Sequence, residues 1–193
     1  MIPQIEGYCA FSELPNAAAC SKQIWLVTNV GPSRALLMQS DGERWRRMTP
    51  ALVGKMRAAS ATLTGSTAET LAYSLTIPGG LIGPDGVLQV IPLVSLTNNA
   101  NTKTVTVKLD TTTVFTVTGL ASSSGAQQVV LVRNVGSEAV QRTLSGGSSG
   151  VGTSTSLLST TVDTSADVTL NVYIKLSNAA DSIALEDCLV FLM

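Results

Sequence analysis

Strict alternation of apolar and polar side chains constrains this chain more than any other feature. In Thr104-Val105-Thr106-Val107-Lys108-Leu109, and again across 168–176, every second residue is a branched aliphatic and the residues between are Thr, Asn, Tyr or Lys. A period of two sends successive side chains to opposite sides of a pleated strand. Val105, Val107 and Leu109 therefore share one face, as do Val168, Leu170, Val172, Ile174 and Leu176, and each face needs a second layer to cover it. Apolar runs recur at 71–77, 87–96, 112–118, 127–133, 139–144 and 183–192, separated by turn residues such as Pro84-Asp85-Gly86 and Asn98-Asn99-Ala100-Asn101. About eight short strands at this spacing predict an all-β fold, a jelly-roll-like antiparallel β-sandwich over residues 71–193. Pro92 cannot donate to a ladder, so its strand is expected at an edge or with a bulge.

The first 48 residues have a different texture. Ile24-Trp25-Leu26-Val27-Thr28-Asn29-Val30 reads as a strand ending at Gly31-Pro32, and a second run at 35–39 meets Asp41-Gly42, a dipeptide suited to a two-residue type I′ hairpin. Residues 43–48 would return as a third strand, with Trp45 on one face and Arg44 and Arg46 on the other. Such a meander buries too little to stand alone and needs a neighbour. Thr49-Pro50 has the form of a helix cap followed by proline at the first helical position, so 51–59 is expected to be a short helix. The expected organisation is a docking arm and β-meander at 1–48, a linker with a short helix at 49–70, and the sandwich at 71–193.

Composition then narrows the chemistry. The chain has no histidine, which removes imidazole general bases, Ser-His and Cys-His nucleophile pairs and histidine-bearing zinc sites. Gly146-Gly147-Ser148-Ser149-Gly150 satisfies the G-x-S-x-G pattern of a nucleophile elbow, but without a histidine or a strand-to-helix context it reads as a flexible loop. The same stretch lacks the lysine that a phosphate-binding loop requires. Paired carboxylates could cleave glycosides without histidine, and the candidates are Asp163, Asp167, Asp181, Glu186 and Asp187. Asp163-Thr164-Ser165 fits a capped turn better, and a chain with 4% aromatics has few rings to line a sugar cleft. No enzymatic activity and no cofactor or metal is expected.

Charged residues make up 13% of the chain, with 12 basic against 13 acidic, so no strong field gathers nucleic acid or an anionic membrane. Surface polarity falls instead to 21 serines and 23 threonines. Cys9, Cys20 and Cys188 match no zinc or redox spacing and are expected to be reduced. No run reaches the roughly 18 apolar residues of a membrane span, and the first residues lack the basic and apolar regions of a secretory signal. Ala17-Ala18-Ala19-Cys20 has the outline of a lipoprotein cleavage site, but Glu6 and Glu13 interrupt what should be apolar before it. Arg44, Arg46 and Arg47 form the basic cluster, which suits either docking to an acidic partner or a solvated hairpin face.

Two stretches resemble a known family. Phe11-Ser12-Glu13-Leu14-Pro15, then Trp25-Leu26-Val27-Thr28-Asn29-Val30-Gly31, then Ser40-Asp41-Gly42-Glu43-Arg44-Trp45-Arg46, resemble a short module near the start of many tailed-bacteriophage virion proteins, with Asn29 where aspartate is more usual. Downstream, 77–86, 98–104, Arg133-Asn134, Asp163-Thr164-Ser165 and Leu185-Glu186 are similar to a β-sandwich module of phage head-fibre, appendage and tail-fibre proteins. The resemblance implies a virion structural protein made in the host cytoplasm and carried on the exterior of capsid or tail. It also implies a homotrimer whose partners are other virion proteins. Docking would fall to Trp25, Arg44, Trp45, Arg46 and Arg47. Exposed loops with Ser122, Ser123, Ser124, Ser148 and Ser149 would project outward. A mean hydropathy of +0.32 agrees with apolar surface covered by neighbouring copies. Two other roles stay open: a receptor-binding tip holding a host glycan or outer-membrane component, with Gln127, Gln128 and Gln141 as the nearby amides, and a lectin-like cellular module.

Overall fold

The structure, a computed structural model, describes residues 5–28, 35–48, 50–56, 61–144 and 157–193. The first sheet has the order β1-β2-β3-β4, from β1 (Ile5–Ala10), β2 (Ile24–Thr28), β3 (Ala35–Ser40) and β4 (Trp45–Arg47). β2, β3 and β4 form the antiparallel meander that the sequence predicts. β1 adds to it in parallel, reached through two short 3₁₀ turns at Phe11–Glu13 and Ala17–Cys20. Gly7 permits that close approach, because a Cβ there would lie 2.8 Å from the Trp25 ring. The hairpin between β3 and β4 is longer than the two-residue turn expected: Ser40 pairs with Trp45, and the Asp41 carboxylate accepts the backbone N–H groups of Glu43 (2.9 Å) and Arg44 (2.8 Å). A type I′ turn needs two left-handed residues, whereas only Gly42 (φ +97°) supplies one here.

The remaining strands are β5 (Ala51–Lys55), β6 (Ala61–Thr64), β7 (Thr70–Ile77), β8 (Val87–Leu96), β9 (Lys103–Leu109), β10 (Thr112–Leu120), β11 (Gly125–Gln127), β12 (Val130–Asn134), β13 (Gln141–Leu144), β14 (Leu157–Thr160), β15 (Val168–Leu176) and β16 (Ser182–Leu192). All eight apolar runs of the sequence coincide with strands, namely β7 to β10, β12, β13, β15 and β16. The short helix expected from residue 51 is not there. Its first five residues form β5, paired antiparallel with the end of β16, and β6 pairs with the start of β16. Helix-favouring Ala51, Leu52 and Lys55 are overridden by a free strand edge that offers a ladder and an apolar face.

Two antiparallel sheets make the sandwich. One has the order β10-β9-β15-β7; the other runs β14-β13-β12-β8-β16-β5, with β11 on β8 and β6 on β16. The chain crosses between them at β6 to β7, β7 to β8, β8 to β9, β10 to β11, β14 to β15 and β15 to β16, so the last two strands slot between earlier ones. Inward residues form one core that includes Val105, Val107, Leu109, Leu170, Val172, Leu88, Val90 and Leu192, each without exposed surface. Each such side chain contributes about 1.5–3 kcal/mol of burial. Pro92 lies inside the central strand β8. Its carbonyl accepts the Gln128 N–H (3.1 Å) on the side where β11 ends and β12 has not begun, so the missing donor faces a break in the neighbouring strand.

The outer faces differ. On the smaller sheet, cross-strand neighbours read Thr116–Thr106–Tyr173 and Thr113–Lys108–Asn171–Ser74, and the Lys108 ammonium sits 4.3 Å from the Tyr173 ring centroid. On the larger sheet they read Phe191–Gln89–Leu131 and Lys55–Leu189–Ile91. Cys9, Cys20 and Cys188 are free thiols.

Candidate docking site

One end of the sandwich is built from the loops 78–86, 134–141 and 162–167. A buried amide pair holds them together. Asn134 donates from Nδ2 to the Gly83 carbonyl (2.7 Å) and to Thr164 Oγ1 (2.8 Å). Gln141 donates from Nε2 to Asn134 Oδ1 (3.0 Å) and the Val162 carbonyl (2.9 Å), while its Oε1 accepts the Val162 N–H (2.9 Å). The Thr164 hydroxyl donates to the Glu138 carbonyl (2.8 Å). With both amides nearly fully enclosed, these bonds replace those water would supply and fix three loops in one geometry.

The N-terminal sheet rests on this end through β4. Trp45 packs against an apolar cluster that takes in Val27, Leu36 and Met38 of the first sheet together with the sandwich core, donates from Nε1 to the Pro15 carbonyl (2.7 Å), and meets Trp25 edge to face with centroids 6.4 Å apart. Arg47 donates from Nη2 to the Met193 carbonyl oxygen (2.8 Å) and has its Nη1 buried without a partner. That burial pulls the guanidinium down to about 10. A cleft of about 290 Å³ runs between β4 and residues 80–86, and an adjoining recess of about 490 Å³ extends to Phe11, Leu14 and Glu138. Arg44 and Arg46 stay exposed at the rim. Asp41 holds Arg46 Nε at 2.5 Å, and that bond, with the Arg44 and Glu43 amides, keeps the Asp41 carboxyl well below the usual carboxylate range.

The five residues expected to dock are thus brought together but divided in role. Trp25, Trp45 and Arg47 are spent largely on the chain's own packing, while Arg44 and Arg46 form a basic edge on a braced hairpin. The amide network beneath is not legible in the sequence, because an isolated Asn or Gln in a strand pattern carries no signal of burial.

Elsewhere, Ser122, Ser123 and Ser124 form an exposed to half-exposed turn, with Ser122 at φ +53° and its N–H on the Asn99 carbonyl (2.6 Å). Ser148 and Ser149, with the whole G-x-S-x-G stretch, lie outside the described residues. Gln127 is exposed, but Gln128 and Gln141 are buried and so unavailable to a glycan. The candidate carboxylates are each engaged locally. Asp163 accepts from Ser165, Asp167 from the Gly79 N–H (2.8 Å), Asp187 from the Cys188 N–H (2.8 Å) and Glu186 from the Ser95 hydroxyl. Asp181 belongs to a buried ion pair with Lys103. Among the described residues no cluster of three or more metal-ligating side chains occurs, and no helix is long and apolar enough to cross a membrane.

No family model matches the chain, and no curated protein does. Among solved structures it is similar to that of the infectious bursal disease virus Gx strain, at 12% identity and a TM-score of 0.31 over 89% of this chain and 42% of the other. It is also similar to the VP2 subviral particle of infectious bursal disease virus, at 11% identity and a TM-score of 0.28 over 89% and 46%. The chain spans less than half the length of either. Superpositions this loose carry no argument about role, which rests on the chain's own residues.

Proposed function

We propose that this chain is a non-enzymatic structural protein of a tailed-bacteriophage virion, an exterior appendage of capsid or tail that docks through residues 1–48 and projects its sandwich outward. The observation that carries the reading is the braced hairpin. The stretch of family resemblance around Ser40–Arg46 folds into the β3–β4 turn, and Arg44 and Arg46 stay exposed there while Trp45 and Arg47 anchor it from behind. A basic edge held on rigid strands suits an acidic patch on a particle, because its donors lose little freedom on binding. The outer face of the smaller sheet supports an outward-facing role, since hydroxyl and amide side chains such as Thr113, Asn171 and Ser74 surround Lys108 there.

The test is rebinding of purified protein to particles stripped of it. The variant Arg44→Glu, which leaves the Asp41–Arg46 pair in place, is expected to lose binding about tenfold or more with an unchanged melting temperature, in line with about 1.5–3 kcal/mol for hydrogen bonds to charged groups. Rebinding that the variant leaves unaltered would sink the docking site. Binding to host cells, or block of phage adsorption, would transfer the chain to the receptor-binding class, a reading that the burial of Gln128 and Gln141 disfavours.

A further inference from the structure

The outer face of the larger sheet has an apolar centre and oppositely charged ends. In the middle, Leu189 lies between Ile91 and Lys55, which is exposed at the β5 edge, and Phe191 lies beside Gln89 and Leu131. Leu93 and Leu131 are 42% and 47% exposed. Towards one end of β8, a bulge in β16 between Leu185 and Asp187 inserts Glu186. A bulge sets two residues against one on the partner strand, and here Glu186 reaches Ser95 while Asp187 stands beside Leu93, so both acids lie on this face. Towards the other end, Val87 pairs with Arg133, and Arg133 with Arg142, and both arginines are exposed. From Leu93 to Val87 along the strand is about 20 Å.

We infer that this face is where a second copy of the same chain docks, face to face about a two-fold axis passing near Ile91. The charge pattern selects that occupant. A two-fold lying in the interface and crossing the strands exchanges the two ends, so Glu186 and Asp187 of one copy meet Arg133 and Arg142 of the other, twice per interface, with the apolar rows stacked between. The size also fits. β8 is 10 residues long, about 34 Å, and the six strands from β5 to β14 span about 24 Å. The flanking strands are shorter, so with β6 and β11 included the face covers about 750 Å² per copy, close to that of a standard stable interface. The resemblance implied a trimer, whereas this face fits pairs, and the inference stands independently of the virion reading.

Charge reversal gives the experiment, read by sedimentation at micromolar concentration. The wild-type chain is expected as a dimer. One variant, Glu186→Arg with Asp187→Arg, makes both ends basic; another, Arg133→Glu with Arg142→Glu, makes both acidic. Each alone is expected to weaken dimerisation at least tenfold, and mixing the two in equal amounts is expected to restore a dimer containing one of each. Leu131→Arg, a change at one exposed side chain, is expected to give monomers with unaltered circular dichroism, which keeps the test valid should a double variant fold poorly. A wild-type monomer overturns the inference. So does an oligomer that neither charge reversal nor Leu131→Arg disturbs.

Discussion

The Lys103 ammonium has no exposed surface, and three oxygens meet its charge: the Thr97 carbonyl at 2.7 Å, Asn99 Oδ1 at 2.5 Å and Asp181 Oδ2 at 3.6 Å. Asn99 Nδ2 in turn donates to Asp181 Oδ1 (2.7 Å). That hydrogen bond, more than the lysine charge, holds the Asp181 carboxyl below its ordinary value of 3.8. A carboxyl depressed in the folded state contributes stability that is fully present above its unfolded value and disappears as pH falls through the folded one. The urea midpoint is therefore expected to hold at neutral pH and to drop as pH falls from about 5 towards 2. Asp181→Asn should give a lower plateau and a shallower acid slope, and equal slopes in the two proteins would remove Asp181 from this role. In the sequence Asp181 stands among the possible catalytic acids, because spacing along a chain does not reveal that Asn99 and Lys103 close around it.

Strands β7 to β10, β12, β13, β15 and β16 were legible because each alternates or runs apolar over its own length, a local signal that burial on one face enforces. β5 was not. Ala51-Leu52-Val53-Gly54-Lys55 follows Thr49-Pro50 and has nothing periodic over five residues, so local preference favoured a helix while pairing with β16 decided the outcome. Gly54 separates the two descriptions by sign. In a helix, Gly54→Ala would stabilise the protein by about 1 kcal/mol. In the strand, a new Cβ would overlap Leu75 Cδ2 and lie 2.8 Å from the Tyr73 hydroxyl and 3.0 Å from Val190 Cβ. Gly54→Ala is therefore expected to cost about 2 kcal/mol and to lower the melting temperature by about 4–8 °C in calorimetry.

At the scale of the whole molecule, the N-terminal sheet depends on the sandwich for the cover that a small meander lacks. Arg47 supplies that attachment from β4 through the Met193 carbonyl, Trp45 lines the cleft against residues 80–86, and the Asn134–Gln141 network keeps the receiving loops in place. Trp45→Ala is expected to weaken the attachment by about 2 kcal/mol, raising the open population roughly thirtyfold. Trypsin should then cut the chain after Arg44, Arg46 or Arg47 far faster than in wild type, while the main unfolding transition of the sandwich stays unchanged. Equal cleavage rates would mean that Trp45 does not brace the module. The basic cluster itself was legible from the sequence; its division into anchoring Arg47 and exposed Arg44 and Arg46 was not, since that depends on which side of β4 meets the loops 80–86.

What the amino-acid order determined unaided was the class of fold, most of its strands and the chemistry it lacks, because alternation, turn residues and the absence of histidine are properties of the chain read in one dimension. What only the tertiary structure decided was pairing and enclosure. β15 and β16 come to lie between earlier strands, 51–55 becomes a strand, Gln141 and Lys103 end inside, and a bulge at Glu186 gathers two acids on one apolar face. Each of these arises between residues far apart in the chain, where the free energy comes from burying one surface against another, and no local pattern records which surface that will be.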